Sequence, residues 1–370
     1  MKNLKACLFI SDEGFGHTIR QRALISEFLK KKVKITVVTS SKISLLKEKF
    51  GNLINYRIKY NNIETFKKKN GSLDLIKTKK MFLDWFNCSS KWISEEKKFS
   101  KSYDFFVSDF VPEAFILGEK LNIKCYGVCH FTWDWFYEKI LRGENKILKK
   151  LKFYISKATK IYFPPLTSKD NLKKYKDKVK LVNFILSDFD FKKKVKKRKK
   201  LKKCLIMDNG NSTLRSLIIK TIPYLKKIKN IEFIIRTDLL DKKSQKEIME
   251  SDNLIPVFGL KNTHSKILEC DFLVARGGYN TISECLVLNK PSLLFEEKDN
   301  PEINYNLNTV FNLDLCDLLK RKDWGKNFKK KLYSFNKHKM KKIKKTFEGK
   351  KFTNTGSKEI ALDILKQHNN

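Results

Sequence analysis

Two glycine turns, each set between an apolar run and a helical pattern, hold the residues best suited to chemistry. In residues 275–284, ARGGYNTISE, Gly277 and Gly278 precede a helix start. Glycine there lets backbone come close to a ligand with no Cβ in the way. The N–H groups of Tyr279, Asn280 and Thr281 would lie at the positive end of the helix dipole and suit a diphosphate. Arg276 or a nearby Lys would offset the charge of a leaving group. Glu284 is one turn further on, where a carboxylate can accept two ribose hydroxyls. A helix start with a tight turn accounts for the same residues equally well.

The second turn is in residues 11–20, SDEGFGHTIR, where Gly14 and Gly16 precede His17. The spacing is not the GxGxxG of a dinucleotide fingerprint. A neutral imidazole at this place can take a proton from an acceptor hydroxyl, cap the helix, or bind a hydroxyl without proton transfer. Asp109, in SDFVPE at 108–113, falls at a strand end. It could orient His17, bind acceptor hydroxyls, or cap the next helix, capping being the simplest reading. His130, in CHFTWDW at 129–135, follows another strand, and the aromatics around it divide between core and the wall of a ligand cleft. In DNGNST at 208–213, Gly210, Asn211 and Ser212 could donate to phosphate oxygens, although a Gly–Asn turn with a Ser/Thr cap gives the same letters.

These residues need elements to hold them. Apolar runs at 4–11, 33–39, 104–108, 123–128 and 160–163 read as strands, the last closing the first half. Helical patterns fall at 18–31, 113–121 and 133–141, with 12–17 as a turn and 63–100 mostly helical. The basic run KKKVKKRKKLKK at 192–203 reads as a solvated linker. Beyond it the alternation restarts, with strands at 203–207, 231–236, 271–275 and 291–295 and helices at 214–227, 262–269 and 281–288, followed by a Lys-rich helical tail. The organisation expected is α/β, with two Rossmann-like doubly wound halves: an acceptor domain at 1–190, a linker at 191–203, a nucleotide-sugar domain at 204–345 and a C-terminal helix and tail at 346–370. Ligands of such sheets bind beyond the carboxyl ends of the strands.

Composition bounds the partners. The chain has 370 residues, 41% apolar and 32% charged, which excludes a disordered protein. No run approaches the ~20 apolar residues of a membrane span, and residues 1–10 lack the layout of a signal peptide, so a cytoplasmic protein is expected. The net charge of +40 comes from basic residues, mostly Lys, spread along the whole chain. That pattern suits compositional drift better than nucleic-acid recognition, while peripheral contact with an anionic inner membrane face stays open. The eight cysteines show no metal-ligand spacing and read as reduced structural thiols. No acidic pair flanks the glycine turns, so neither a metal nor a cofactor is expected, a nucleotide-sugar being a co-substrate.

Taken together, these segments resemble GT-B glycosyltransferases. RGGYNTISE is similar to the donor-binding loop of the peptidoglycan N-acetylglucosaminyltransferase group. The resemblance implies that Gly277, Gly278 and Thr281 hold the diphosphate and Glu284 the ribose. PSLLFEEKDNPEINYN is similar to the strand and loop that follow in that group; Glu302 and Asn306 match, but Ile303 stands where a sugar-contacting Gln is usual. EGFGHTIR and the stretch at 103–140 resemble the GT-B-like N-terminal region of plant L-arabinokinases, with no kinase domain after it. A similar GFGH loop occurs in a nucleotide-sugar hydrolase of pseudaminic acid synthesis. The resemblance implies a glycosyltransferase that moves a hexosyl or N-acetylhexosaminyl group from a UDP-linked donor to an unidentified acceptor hydroxyl, without a metal. The donor would sit on Gly210, Asn211, Ser212, Arg276, Gly277, Gly278, Asn280, Thr281, Glu284, Glu302 and Asn306. The acceptor would sit on Gly14, Gly16, Asp109 and His130, with His17 as base. A hydrolase of the same fold, a non-catalytic nucleotide-sugar binder and a polyanion-binding surface protein remain as alternatives.

Overall fold

The computed structural model describes residues 3–40, 42–60, 63–68, 71–141, 145–186, 202–207, 212–259 and 263–368, with backbone alone at 212, 213, 263 and 264. The chain divides into two units: Met1–Phe66, Leu73–Asp188 and Thr353–Asn370 form one, and Lys67–Ser72 with Phe189–Phe352 form the other. Most of the expected linker, residues 191–201, lies outside the described residues, and Lys202 and Lys203 already belong to a strand.

The first unit is built on strands β1 (Lys5–Ile10), β2 (Lys34–Val38), β3 (Asn55–Arg57), β4 (Phe105–Asp109), β5 (Lys124–Val128), β6 (Lys160–Phe163) and β7 (Val179–Leu181). They form one seven-stranded sheet in the order β3-β2-β1-β4-β5-β6-β7, and every neighbouring pair is parallel. A parallel sheet is covered on both faces, so its central strands are apolar along their length. In β1 every residue from Ala6 to Ile10 is buried. Strand β6 is not the last, as the sequence suggested. The short edge strands β3 and β7 are only partly buried and so lack the apolar run that reveals a central strand.

The second unit repeats the plan with β8 (Lys202–Met207), β9 (Ile231–Arg236), β10 (Leu254–Val257), β11 (Phe272–Arg276), β12 (Ser292–Phe295) and β13 (Asp317–Leu319), ordered β10-β9-β8-β11-β12-β13. In each unit the strand order reverses beside the first strand, between β1 and β4 and between β8 and β11. These are the switch points at which doubly wound sheets open a crevice for ligands.

The C-terminal helix, Gly356–Lys366, belongs to the first unit. Its Ile360, Ala361, Ile364 and Leu365 join the core beneath helix Gly14–Lys30, with Ala23, Leu24 and Phe28. Asp363 fastens it to the sheet, accepting from Lys160 Nζ at 2.8 Å and Tyr162 Oη at 2.6 Å, and from Lys180. All eight cysteines are free thiols; Cys88 is exposed and the rest are buried. Among the described residues no helix is long and apolar enough to cross a membrane.

Candidate functional site

The first site lies at the switch point between β1 and β4. These strands pair in parallel with Ile10 opposite Asp109, so the segment leaving β1 and the last residue of β4 emerge together. The helix after β1 starts at Gly14, earlier than the expected residue 18, and so takes Gly14, Gly16 and His17 into its first turn. Gly14 has φ +58°, a left-handed conformation that glycine adopts without a Cβ penalty. His17, Arg20 and Gln21 then stand at i, i+3 and i+4, on one helical face.

All three converge on Asp109. Its Oδ1 lies 2.9 Å from His17 Nδ1 and accepts from Arg20 Nη2 at 2.6 Å, while its Oδ2 accepts from Gln21 Nε2 at 2.8 Å. The side chains of Arg20 and Asp109 are each 1% exposed. Burial pushes the Asp109 carboxyl up, but the Arg20 charge, then His17 and the hydrogen bonds, outweigh it and hold the group below the usual carboxylate range. A carboxylate only accepts, so His17 Nδ1 donates to it, and in the neutral ring Nε2 is left as the proton acceptor. Arg20 Nη2 also comes within 3.3 Å of that Nδ1, but a carboxylate oxygen 2.9 Å from a ring nitrogen needs a proton between the two atoms, and the ring nitrogen is the one that carries it.

Asp109 therefore does not cap the following helix. Helix Glu113–Leu121 has Pro112 at its N-cap and no side-chain cap bond. Capping looked simplest from sequence because the three residues that claim this carboxylate lie about ninety residues earlier.

His130, after β5, approaches the same guanidinium, its Nδ1 3.2 Å from Arg20 Nη1. Between them stands Phe110, whose ring meets His17 edge-on at 4.7 Å, His130 at 5.5 Å and the Arg20 guanidinium at 5.5 Å. Phe110 has φ +61°, a strained conformation for an aromatic residue, and its carbonyl is held by Trp133 Nε1 at 2.8 Å. Of the aromatics around His130, Phe131, Trp133 and Trp135 are all buried, and Phe131 and Trp133 line a small cavity together with Phe110 and Phe115. Glu13, at the N-cap position, accepts from the backbone and hydroxyl of Thr65; burial pushes its carboxyl up, against the pull of those bonds. Sequence reading missed Arg20, Gln21, Phe110 and Glu13. For Arg20 and Gln21 the helical spacing from His17 was a usable signal.

In the second unit, β11 ends at Arg276 and helix Tyr279–Val287 starts after Gly278, with no side-chain cap. The two glycines serve different ends. A Cβ on Gly277 would fall 2.3 Å from Leu307 Cδ2, so this glycine admits helix Pro301–Asn312. A Cβ on Gly278 would meet nothing within 4 Å. Thr281 and Glu284 are buried one turn apart on the same face, with Asn280 beside them. Arg276 forms a two-pronged ion pair with Glu297, at 2.7 and 2.8 Å, so its charge is already matched by a carboxylate. Glu302 Oε1 accepts from Asn306 Nδ2 at 3.3 Å on helix Pro301–Asn312. Ile303 is buried, at the spacing of the buried Leu307 and Val310. Gly210 and Asn211 lie outside the described residues, and Ser212 opens helix Ser212–Leu225. Among the described residues no group of three His, Cys, Asp or Glu could hold a metal ion.

Two Rossmann-like units with parallel sheets of this order are the GT-B fold. Solved structures of that fold cover nearly the whole chain. Acinetobacter baumannii MurG is 12% identical with a TM-score of 0.64, covering 98% of this chain and 99% of its own. Arabidopsis thaliana UGT89C1 complexed with UDP-L-rhamnose is 13% identical with a TM-score of 0.68, covering 98% of each chain. Phytolacca americana UGT2 complexed with UDP-2fluoro-glucose and pterostilbene is 10% identical with a TM-score of 0.67, covering 99% of this chain and 100% of its own. At such identities the likeness shows the fold. No curated protein matches the sequence. Residues 209–360 match the glycosyltransferase family 28 C-terminal domain. The chain is thus a GT-B glycosyltransferase-like protein whose C-terminal half is like that of MurG, and the domain match supports glycosyltransferase activity.

Proposed function

We propose that this protein transfers a hexosyl or N-acetylhexosaminyl group from a UDP-linked donor to an acceptor hydroxyl. The observation that carries the reading is the buried His17–Asp109 pair at the switch point of the first sheet. The acceptor binds the first unit near Gly14, Gly16 and His130. As its oxygen bonds to the anomeric carbon, His17 Nε2 takes the hydroxyl proton, the bond from that carbon to the diphosphate oxygen breaks, and UDP departs. Asp109 keeps the proton of neutral His17 on Nδ1 and stabilises the imidazolium that forms. In the second unit, the start of helix Tyr279–Val287 holds the diphosphate against its dipole, Gly278 leaves room for it, and Glu284 takes the ribose hydroxyls. The family 28 domain match supports glycosyl transfer, and support for UDP comes from neighbours solved with UDP-L-rhamnose and UDP-2fluoro-glucose. Turnover needs no metal, so a chelator leaves it unchanged.

The test is a thermal-shift screen of nucleoside diphosphates and nucleotide-sugars on wild type beside Glu284→Ala. A ligand that binds only the folded state at 100 times its Kd adds about 2.7 kcal/mol. Stabilisation by uridine ligands, lost in Glu284→Ala, is the expected result. No stabilisation by any nucleotide would reject the donor site. Sugar released at the full turnover rate without acceptor would replace transfer by hydrolysis.

A further inference from the structure

The second unit carries near its C-terminal end a helix with two unlike faces. Helix Phe328–Ser334, a π-helical turn at Phe335–Lys339 and helix Met340–Glu348 follow one another without a break. Together they run for roughly 30 Å at ~1.5 Å per residue. Phe328, Leu332, Phe335, Met340, Ile343 and Phe347 are buried. The step from Phe335 to Met340 is longer than the three or four residues that separate the others. In a regular α-helix it would swing Met340 about 140° away from Phe335. The π-helical turn, with its i→i+5 bonds, sits at that step and returns Met340 to the buried stripe. It thereby keeps the opposite, outer face continuous as well.

That outer face is basic. Residues 328–348 contain nine Lys, one Glu and no Arg. Lys331 and Lys342 pair with Asp317 and Asp314, at 2.8 and 2.9 Å, and fasten the helix to its unit. Lys329, Lys330, Lys337, Lys341, Lys344 and Lys345 are exposed, and among the described residues none of them pairs with a carboxylate. Every Leu, Ile, Phe and Met of the helix is buried in the protein, so none is left to enter a bilayer. Its one large exposed ring is Tyr333, with Lys337 Nζ 5.8 Å from the centroid. We propose that this lysine face docks the protein on a bilayer through anionic lipid headgroups. Charge complementarity carries the proposal: clustered ammonium groups along a helix meet a plane of phosphates that demands no fixed register. A nucleic-acid surface would favour Arg forks and several stacking rings, whereas this face has no Arg and one exposed ring. The contact is electrostatic and weakens as salt screens it. It does not depend on the transferase reading, and vesicle binding and nucleotide binding can fail separately.

Co-flotation of the full-length protein with vesicles tests it. Mixed phosphatidylglycerol–phosphatidylcholine vesicles should carry the protein at about 0.1 M salt and release it near 1 M, where the Debye length falls from ~10 to ~3 Å. Vesicles of phosphatidylcholine alone should not carry it. Equal flotation with both vesicles, or flotation that survives high salt, overturns the proposal. A chain of net charge +40 could adhere through any surface, so a charge-matched control is needed. Joint Lys→Gln substitution of Lys337, Lys341, Lys344 and Lys345 should lower the partition coefficient at least ~100-fold. Removing Lys344 and Lys345 alone should lower it roughly tenfold. The same substitution of Lys31, Lys101, Lys120 and Lys149, exposed residues of the first unit, removes equal charge and should cost less than about fivefold. All of these side chains face solvent, so thermal melts of the variants should match wild type. Equal losses from the two fourfold variants would assign adhesion to total charge and overturn the role of the helix. RNA that strips the protein from the vesicles at matched phosphate concentration would make the face a nucleic-acid surface instead.

Discussion

The Nδ1 atom of His17 lies 2.9 Å from the carboxylate of Asp109, though 92 residues separate them in sequence. Parallel pairing of β1 with β4, Ile10 opposite Asp109, brings them together. The contact is a product of sheet register, and the polarity of the site follows from it.

Asp109→Asn tests that polarity. An amide no longer requires a proton on His17 Nδ1, and it leaves Arg20 without its carboxylate. Turnover with a UDP-sugar should fall ~100- to 10,000-fold in kcat, with KM for the donor little changed. Steady-state kinetics decide it; a loss below tenfold would show that Asp109 does not orient the base.

Gly277 and Gly278 should separate packing from ligand binding. Gly277→Ala drives a methyl into Leu307 and should destabilise the protein by about 1–3 kcal/mol in urea unfolding. Gly278→Ala meets open space and should cost under about 1 kcal/mol, yet weaken UDP binding at least tenfold by calorimetry. Unchanged affinity in Gly278→Ala would place the diphosphate elsewhere.

Asp363 makes the anchorage of the C-terminal helix sensitive to acid. Burial pushes its carboxyl up, but the bonds from Lys160, Lys180 and Tyr162 outweigh it and bring the value down to about 2 from an ordinary 3.8. A lowered folded value means stability that is fully present above the ordinary value and lost as pH falls from 3.8 toward about 2. Denaturant melts through that window should show a steeper loss for wild type than for Asp363→Asn. Parallel curves would mean that the carboxylate holds nothing.

The thiols should react unequally. Cys88 is exposed, whereas burial pushes the Cys7, Cys125, Cys129 and Cys204 thiols well up and those of Cys270 and Cys285 to about 12. A maleimide should label one site rapidly in the native protein and none in Cys88→Ser. Rapid labelling of a second site would mean that a buried region opens readily.

How far the sequence reached can be judged on particular residues. Central strands such as β1 and β11 were legible because burial on both faces writes an unbroken apolar run. Strands β3, β7, β10 and β13 escaped because they sit at sheet edges and run for only three or four residues, too few to show a period. His17, Asp109 and His130 could be picked out, since each follows a strand, but their relation could not. Ile303, conspicuous against the resemblance, turned out to lie on the buried face of its helix.

By itself the sequence determined the two α/β units, the glycine turns at their first and fourth strands, and the residue types gathered at the strand ends, because these follow from local periodicity and composition. Tertiary structure decided which side chains meet. Arg20 looks like one more cation in a chain with 80 Lys and Arg residues until parallel register brings Asp109 and His130 to its two prongs. Gly277 looks like half of a phosphate loop until helix Pro301–Asn312 lays Leu307 against it. Side-chain partners of this kind are separated by tens to hundreds of residues, and only the packing of elements fixes such distances.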